Sequence, residues 1–282
     1  PWAMYGFVGR DSFENAGASG DQKKLLQGLL PLGVSNKTLT GNSLTDRHGD
    51  AWWAGFTTEL KVLDPFRFAL DATYGRVDLG EGLSTKGKKI DVKREGWIVS
   101  ALAEYKMESV TPGLTAWYSS GDDANVNNGS ERLPQYNTPW AVSALGFGGG
   151  WTDIATWKVL GHNPGGLWGV VLHLKDISLM EDLKHTLRAG YYHGTNNSAM
   201  PKAANMASYP SRIDGPFAYL TTSDDAWELN ADTRYKIYEN LELAVEAAYV
   251  RLNLDEGTWG KKIVNEVDKD SYRVSIGLKY SF

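Results

Sequence analysis

Bulky apolar and small or charged residues alternate without a slip from Asp270 to the final Phe282. Successive side chains of a strand point to opposite faces. Tyr272, Val274, Ile276, Leu278, Tyr280 and Phe282 therefore share one face, and Arg273, Ser275, Gly277, Lys279 and Ser281 the other. The same period of two recurs upstream. From Asp225 to Ile237 it sets Trp227, Leu229, Ala231, Thr233, Tyr235 and Ile237 against Glu228, Asn230, Asp232, Arg234 and Lys236. Asn240 to Tyr249 and Phe66 to Tyr74 alternate in the same way. One such strand fits a soluble sandwich, but the repetition predicts a wall with lipid on one side and water on the other.

A second regularity sharpens this. On the apolar face, ring-bearing or bulky residues recur eight positions apart: Phe66 and Tyr74, Trp97 and Tyr105, Leu183 and Tyr191, Trp227 and Tyr235, Leu241 and Tyr249, Tyr272 and Tyr280. Eight residues at ~3.3 Å cover ~26 Å, which a tilt of ~40° reduces to ~20 Å along the membrane normal. That is close to the height of a lipid-facing band between two aromatic belts.

The pattern predicts an all-β fold, a transmembrane antiparallel up-and-down β-barrel. Its ten strands are expected at about 1–10, 50–63, 66–78, 91–107, 113–120, 165–177, 183–195, 225–238, 240–254 and 270–282. Residues 1–282 read as one domain. Tight connections at Leu63 to Pro65, Glu108 to Gly113, Ser178 to Asp182 and Glu239-Asn240 belong on the periplasmic side. The intervals 11–49, 79–90, 121–164, 196–224 and 255–269 read as long outer loops. Leucines at helical spacing behind Asp21 predict a short helix in the first of these. The 121–164 loop is the candidate constriction. Its Gly146 to Gly150 run permits close approach to the wall, and Asp122, Asp123, Glu131, Arg132 and Asp153 would bring charge there. The other reading of this loop is a flap over the mouth.

Bulk composition alone describes an ordinary soluble domain: 42% hydrophobic, 22% charged, with a mean hydropathy of −0.37. Barrels hide in such averages because half of each strand faces water. Leu133 to Thr152, the longest uncharged stretch, is interrupted by two prolines and four glycines and predicts no membrane helix. Cysteine is absent, which removes disulfides and thiolate metal sites. A net charge of −5 without a basic stripe argues against nucleic acid. The chain starts at Pro1, as expected after removal of a signal peptide or from truncation.

On the inward phase, the candidate pore-lining residues are Glu59, Lys61, Arg67, Asp71, Glu104, Lys184, Arg188, Glu228, Asp232, Arg234, Lys236, Glu242, Glu246, Arg273 and Lys279. Opposed rows of both signs set a transverse field that sorts solutes by charge. The bland alternative is mutual salt-bridging that only stiffens the wall. No G-x-S-x-G elbow occurs, and the strand phase sends His185 and His193 toward lipid and His173 toward the lumen, so no catalytic residues are assigned. Asp123, Asn125 and Asn127 begin like a calcium loop, but Asn128 and Pro134 stand where Gly and Glu are needed. No cofactor or metal is expected beyond an adventitious calcium.

Four segments carry a resemblance: Asn128 to Pro134, Leu145 to Gly150, Asp182 to Asn196, and Tyr235 to Leu243 together with the Tyr280-Ser-Phe282 ending. On these the chain resembles the outer-membrane homotrimeric porins of sulfate-reducing proteobacteria. The resemblance implies a trimeric, water-filled channel with a loop folded into each pore. Members look longer, with roughly sixteen strands, so the present ten would be the C-terminal part of such a barrel. The expectation is an integral outer-membrane porin, contacting outer-membrane lipid and lipopolysaccharide, that passes small hydrophilic solutes and ions without catalysis. The alternatives are a structural or adhesive barrel with a blocked lumen and a substrate-selective channel.

Overall fold

The computed structural model describes residues 1–9, 48–83, 88–134, 140–149, 159–160, 163–203, 219–267 and 269–281. Ten strands run β1 (Trp2–Gly9), β2 (His48–Leu60), β3 (Phe66–Leu83), β4 (Lys89–Tyr105), β5 (Thr111–Ser119), β6 (Leu167–Met180), β7 (Leu183–Gly194), β8 (Asp225–Tyr238), β9 (Leu241–Asn253) and β10 (Asp270–Tyr280). They form one sheet in sequence order, each strand antiparallel to the next. Short helices α1 (Met200–Ala203), α2 (Glu256–Trp259) and α3 (Lys261–Glu266) sit in the outer connections. The helix expected behind Asp21 falls outside the described residues.

The register explains the eight-residue spacing. Phe66 lies opposite Tyr105 and Tyr74 opposite Trp97. Likewise Leu183 faces Tyr235 and Tyr191 faces Trp227, while Leu241 faces Tyr280 and Tyr249 faces Tyr272. Both ends of the apolar interval thus coincide across neighbouring strands and join into belts. Ring contacts run along them, with centroids 4.8 Å apart for Phe66 and Tyr105, 4.6 Å for Tyr191 and Trp227, and 5.5 Å for Trp97 and Tyr118. Between the belts Leu70, Val99, Leu114, Leu172, Leu187, Leu229, Val274 and Ile276 are exposed. So broad an apolar surface belongs against lipid.

The turns at the short-connection end of the sheet, expected on the periplasmic side, are tight. Phe66 N–H donates to Leu63 O at 2.8 Å and Met107 N–H to Val110 O at 3.0 Å. In the β6–β7 turn Asp182 adopts φ 64°, a left-handed conformation that Asp tolerates. The outer ends differ from the expected outline at 79–90. There β3 and β4 continue as a hairpin past a bulge between Asp78 and Glu81, pairing Glu81 with Asp91 and Leu83 with Lys89. The upper edge of β4, left uncovered where β5 stops, is filled by the following loop: Asp91 N–H donates to Asn127 O, Ser130 N–H to Lys93 O and Glu95 N–H to Ser130 O. In the 255–269 connection Asp255 caps α2 by accepting from Thr258 N–H.

Leu70, at the centre of the β3 apolar interval, is the test position. Leu70→Arg should cost about 2–4 kcal/mol in urea unfolding from phospholipid vesicles, whereas Ala69→Arg, one residue away on the inward face, should cost far less.

Candidate functional site: the inward face of the sheet

The inward side chains of eight strands fall on one register row: Arg67, Glu104, Gly113, His173, Arg188, Asn230, Ala248 and Arg273, each opposite the next. Glycine at 113 allows its neighbours to meet. A Cβ there would stand 2.2 Å from His173 Nε2 and 2.7 Å from Glu104 Cγ. Across this gap Glu104 Oε1 contacts His173 Nε2 at 3.0 Å and accepts from Lys175 Nζ at 2.7 Å, while Oε2 accepts from Arg67 at 2.6 Å. Arg67 also donates to Glu59 at 2.5 Å, and Lys61 lies 2.9 Å from Glu59. The lower wall of β2 to β6 therefore carries one linked ion network. Asp71, just above it, accepts from Thr57 at 2.5 Å.

On the facing strands a carboxylate holds the long loop. Glu228 is buried; its Oε1 accepts from the N–H groups of Leu145 at 2.9 Å and Gly146 at 3.0 Å and from Asn230 Nδ2 at 2.7 Å. Its Oε2 accepts from the Tyr192 hydroxyl at 2.9 Å. Asn230 Oδ1 accepts from Ala144 N–H at 2.9 Å, and Arg273 donates to Ala144 O at 3.1 Å. Strands β8 and β10 thus grip the Ala144 to Gly146 backbone from the inward side. Gly146 is required there, since a Cβ would sit 2.3 Å from Glu228 Oε2. Phe147 continues the contact, buried edge-on against Trp117 and Tyr192 at 5.7 and 5.3 Å. Above this latch a packed apolar cluster joins Leu145, Phe147 and Leu160 to Val171, Tyr192, Val250, Leu252, Trp259 and Val264.

The predicted site residues accordingly divide. Glu228 and Glu246 point inward but are covered; Arg273 lies 3.9 Å from Glu246. Arg188 donates to Asp232, which also lies in register with Glu246. Lys184 and Arg234 face one another across β7 and β8, and Lys236, Glu242 and Lys279 share one row across β8 to β10.

Asp122 is buried at the outer junction, accepting from Ser130 Oγ at 2.6 Å, Glu131 N–H at 3.0 Å and the Tyr219 hydroxyl at 2.8 Å, with Arg132 at 3.5 Å. Burial and the Asp122 carboxylate push the Tyr219 phenol up, so it remains a donor, and Arg132 stacks over its ring at 4.9 Å. Burial also raises the Glu131 carboxyl. Asp123 accepts locally from Asn125 N–H at 2.6 Å and Asn128 Nδ2 at 3.0 Å. No group of three or more metal-ligating side chains occurs among the described residues. Asp153 lies outside them. Lys175, Tyr192 and Gly113 were not singled out by the sequence pattern, and Asn230 was placed on the inward face without a role; the partners of all four on other strands were not readable.

No family model matches this chain, and no curated protein does. Among solved structures it is similar to the outer-membrane channel DcaP of Acinetobacter baumannii, at 14% identity over 83% of this chain and 59% of that one, with a TM-score of 0.35. It is also similar to OmpT, an outer-membrane protein of Vibrio cholerae. For the outer-membrane expressed form the identity is 10% over 99% of this chain and 77% of that one, with a TM-score of 0.34. For the in-vitro folded form it is 12% over 99% and 75%, again with a TM-score of 0.34. The chain thus spans less than two thirds of DcaP's length. Its own geometry is that of an integral outer-membrane β-barrel wall: one antiparallel sheet of ten strands in sequence order, an apolar outer face edged with aromatics and a charged inner face.

Glu228→Gln should weaken the latch by on the order of 2 kcal/mol, because hydrogen bonds from the loop N–H groups to a buried carboxylate become weaker ones to a neutral amide oxygen. Gly146→Ala should release the loop more completely. Limited proteolysis within 140–149 reads both, with cleavage expected to accelerate in each variant.

Proposed function

We propose that this chain forms the wall of an outer-membrane porin, a passive diffusion channel for small hydrophilic solutes and ions rather than an enzyme. The observation that carries this reading is the inward face: it is lined with charged side chains, and the long loop is held to it through Glu228, Asn230 and Arg273. A lumen destined to stay dry has no use for Lys184, Arg234 or Lys236, all exposed. Solutes move down their own gradient, and the 121–164 loop sets the width. In lipid an unpaired ladder is expensive, so the edges of β1 and β10 need backbone partners in the assembled barrel. The resemblance to homotrimeric porins supports three such barrels side by side, surrounded by lipid and lipopolysaccharide.

A second reading has an observation of its own. The apolar cluster filling the outer half against β5 to β9 suits a structural or adhesive barrel whose lumen is blocked.

Planar-bilayer recording of the purified protein separates the two. The channel reading predicts insertion events with stable current steps, in three linked levels for a trimer. Stable insertion without current would favour the blocked barrel.

A further inference from the structure

We infer that the periplasmic half of the lumen prefers small hydrophilic anions, through a strip of cations formed by Lys184, Arg234, Lys236 and Lys279. This rests on the channel reading above and adds a substrate class to it. Along the sequence the inward charges nearly balance, and a balanced lumen would discriminate little. Folding covers most of the acids: side-chain exposure is 7% for Glu104, 8% for Asp232 and 1% for Glu246, and Glu228 is spent on the loop, while Glu59, at 33%, is paired with Lys61 and Arg67. Two cations go under with them, Arg188 at 15% and Arg273 at 14%. The cations of the strip stay in water, with Lys184 62% exposed and Arg234, Lys236 and Lys279 exposed as well.

The register makes the strip a site rather than a scatter. Lys184 lies directly opposite Arg234, where like charges repel unless an anion sits between them. One step lower, Lys236 and Lys279 flank Glu242, two cations to one carboxylate. Among the described residues Arg234, Lys236 and Lys279 have no carboxylate within ion-pair distance, and Lys184 has only Asp176 at 3.8 Å, itself 62% exposed and screened by solvent. On β2 to β6, Lys61, Arg67 and Lys175 share the carboxylates of Glu59 and Glu104, and Asp71 just above brings that wall to balance, so the excess of inward cations lies on β7 to β10. Arg234 supplies a planar fork suited to carboxylate and phosphate oxygens, and the lysines supply mobile point charges.

The test is the reversal potential of the purified full chain in a planar bilayer under a roughly tenfold KCl gradient, where charge lining the path sets the sign. The expected result is a chloride-preferring wild type. Lys184→Glu combined with Arg234→Glu should lower the anion-to-cation permeability ratio by on the order of several fold, and the Gln counterparts should fall between. The preference should fade near 1 M salt, where the Debye length is about 3 Å. If the Glu pair fails to insert, Lys236→Glu with Lys279→Glu reads the same strip. A conducting wild type that prefers potassium, or a conducting Glu variant with an unmoved reversal potential, overturns the inference and leaves the channel reading standing. Stable insertion without current overturns both.

Discussion

Inside a bilayer no water is available to a backbone N–H or C=O, and each one left without a partner costs several kcal/mol. That constraint governs this chain. It explains why all ten strands pair with their sequence neighbours in one sheet. It also explains why the connections on one side shrink to a few residues. Once the ladder exists, the period of two is imposed on every side chain, and the outward set must be apolar while the inward set is released from that demand. The coincidence of belt residues across hairpins, Tyr74 with Trp97 and Tyr249 with Tyr272, is the same constraint seen at the two interfaces.

Freedom on the inward face is used in two ways. In the outer half it builds a soluble-protein core, with Trp117, Tyr192, Val250 and Trp259 packed under loops and short helices. In the periplasmic half it carries charge. The boundary between the halves is Glu228, whose carboxylate turns the loop backbone toward the wall and is fully used in doing so. A buried carboxylate with four donors is stable because it is satisfied, and its burial keeps that negative charge off the inward surface below. Structure and electrostatics are therefore linked at one residue.

The strands and their phases were legible because alternation is local: Trp227 to Tyr235 announces its two faces without reference to any other segment. The outer hairpin was not. Leu79 to Leu83 is rich in glycine and passes through a bulge, so its continuation of β3 lacks the signal that marked Phe66 to Tyr74. Long-range partnership was also hidden. Nothing near Glu104 says that His173 and Lys175, about seventy residues on, will meet it over a glycine. Asp122 and Arg132 read as constriction charges because they stand in the long loop, yet they knit its base to Ser130 and Tyr219, a role set by where the loop's start packs. Phase told which charges face inward, and only packing told which of them stay wet.

The central claim is the two-sided wall, and the absence of cysteine makes it directly testable, because single-cysteine variants carry no competing thiol. The measurement is a scan of residues 66–74 of β3 in vesicles, scoring reaction with a water-soluble maleimide and quenching of an attached fluorophore by a lipid-borne nitroxide. The account predicts strict alternation: lipid quenching at Phe66, Phe68, Leu70, Ala72 and Tyr74, and aqueous labelling at Arg67, Ala69, Asp71 and Thr73. Uniform aqueous labelling along the strand, with no lipid quenching at any position, would contradict it.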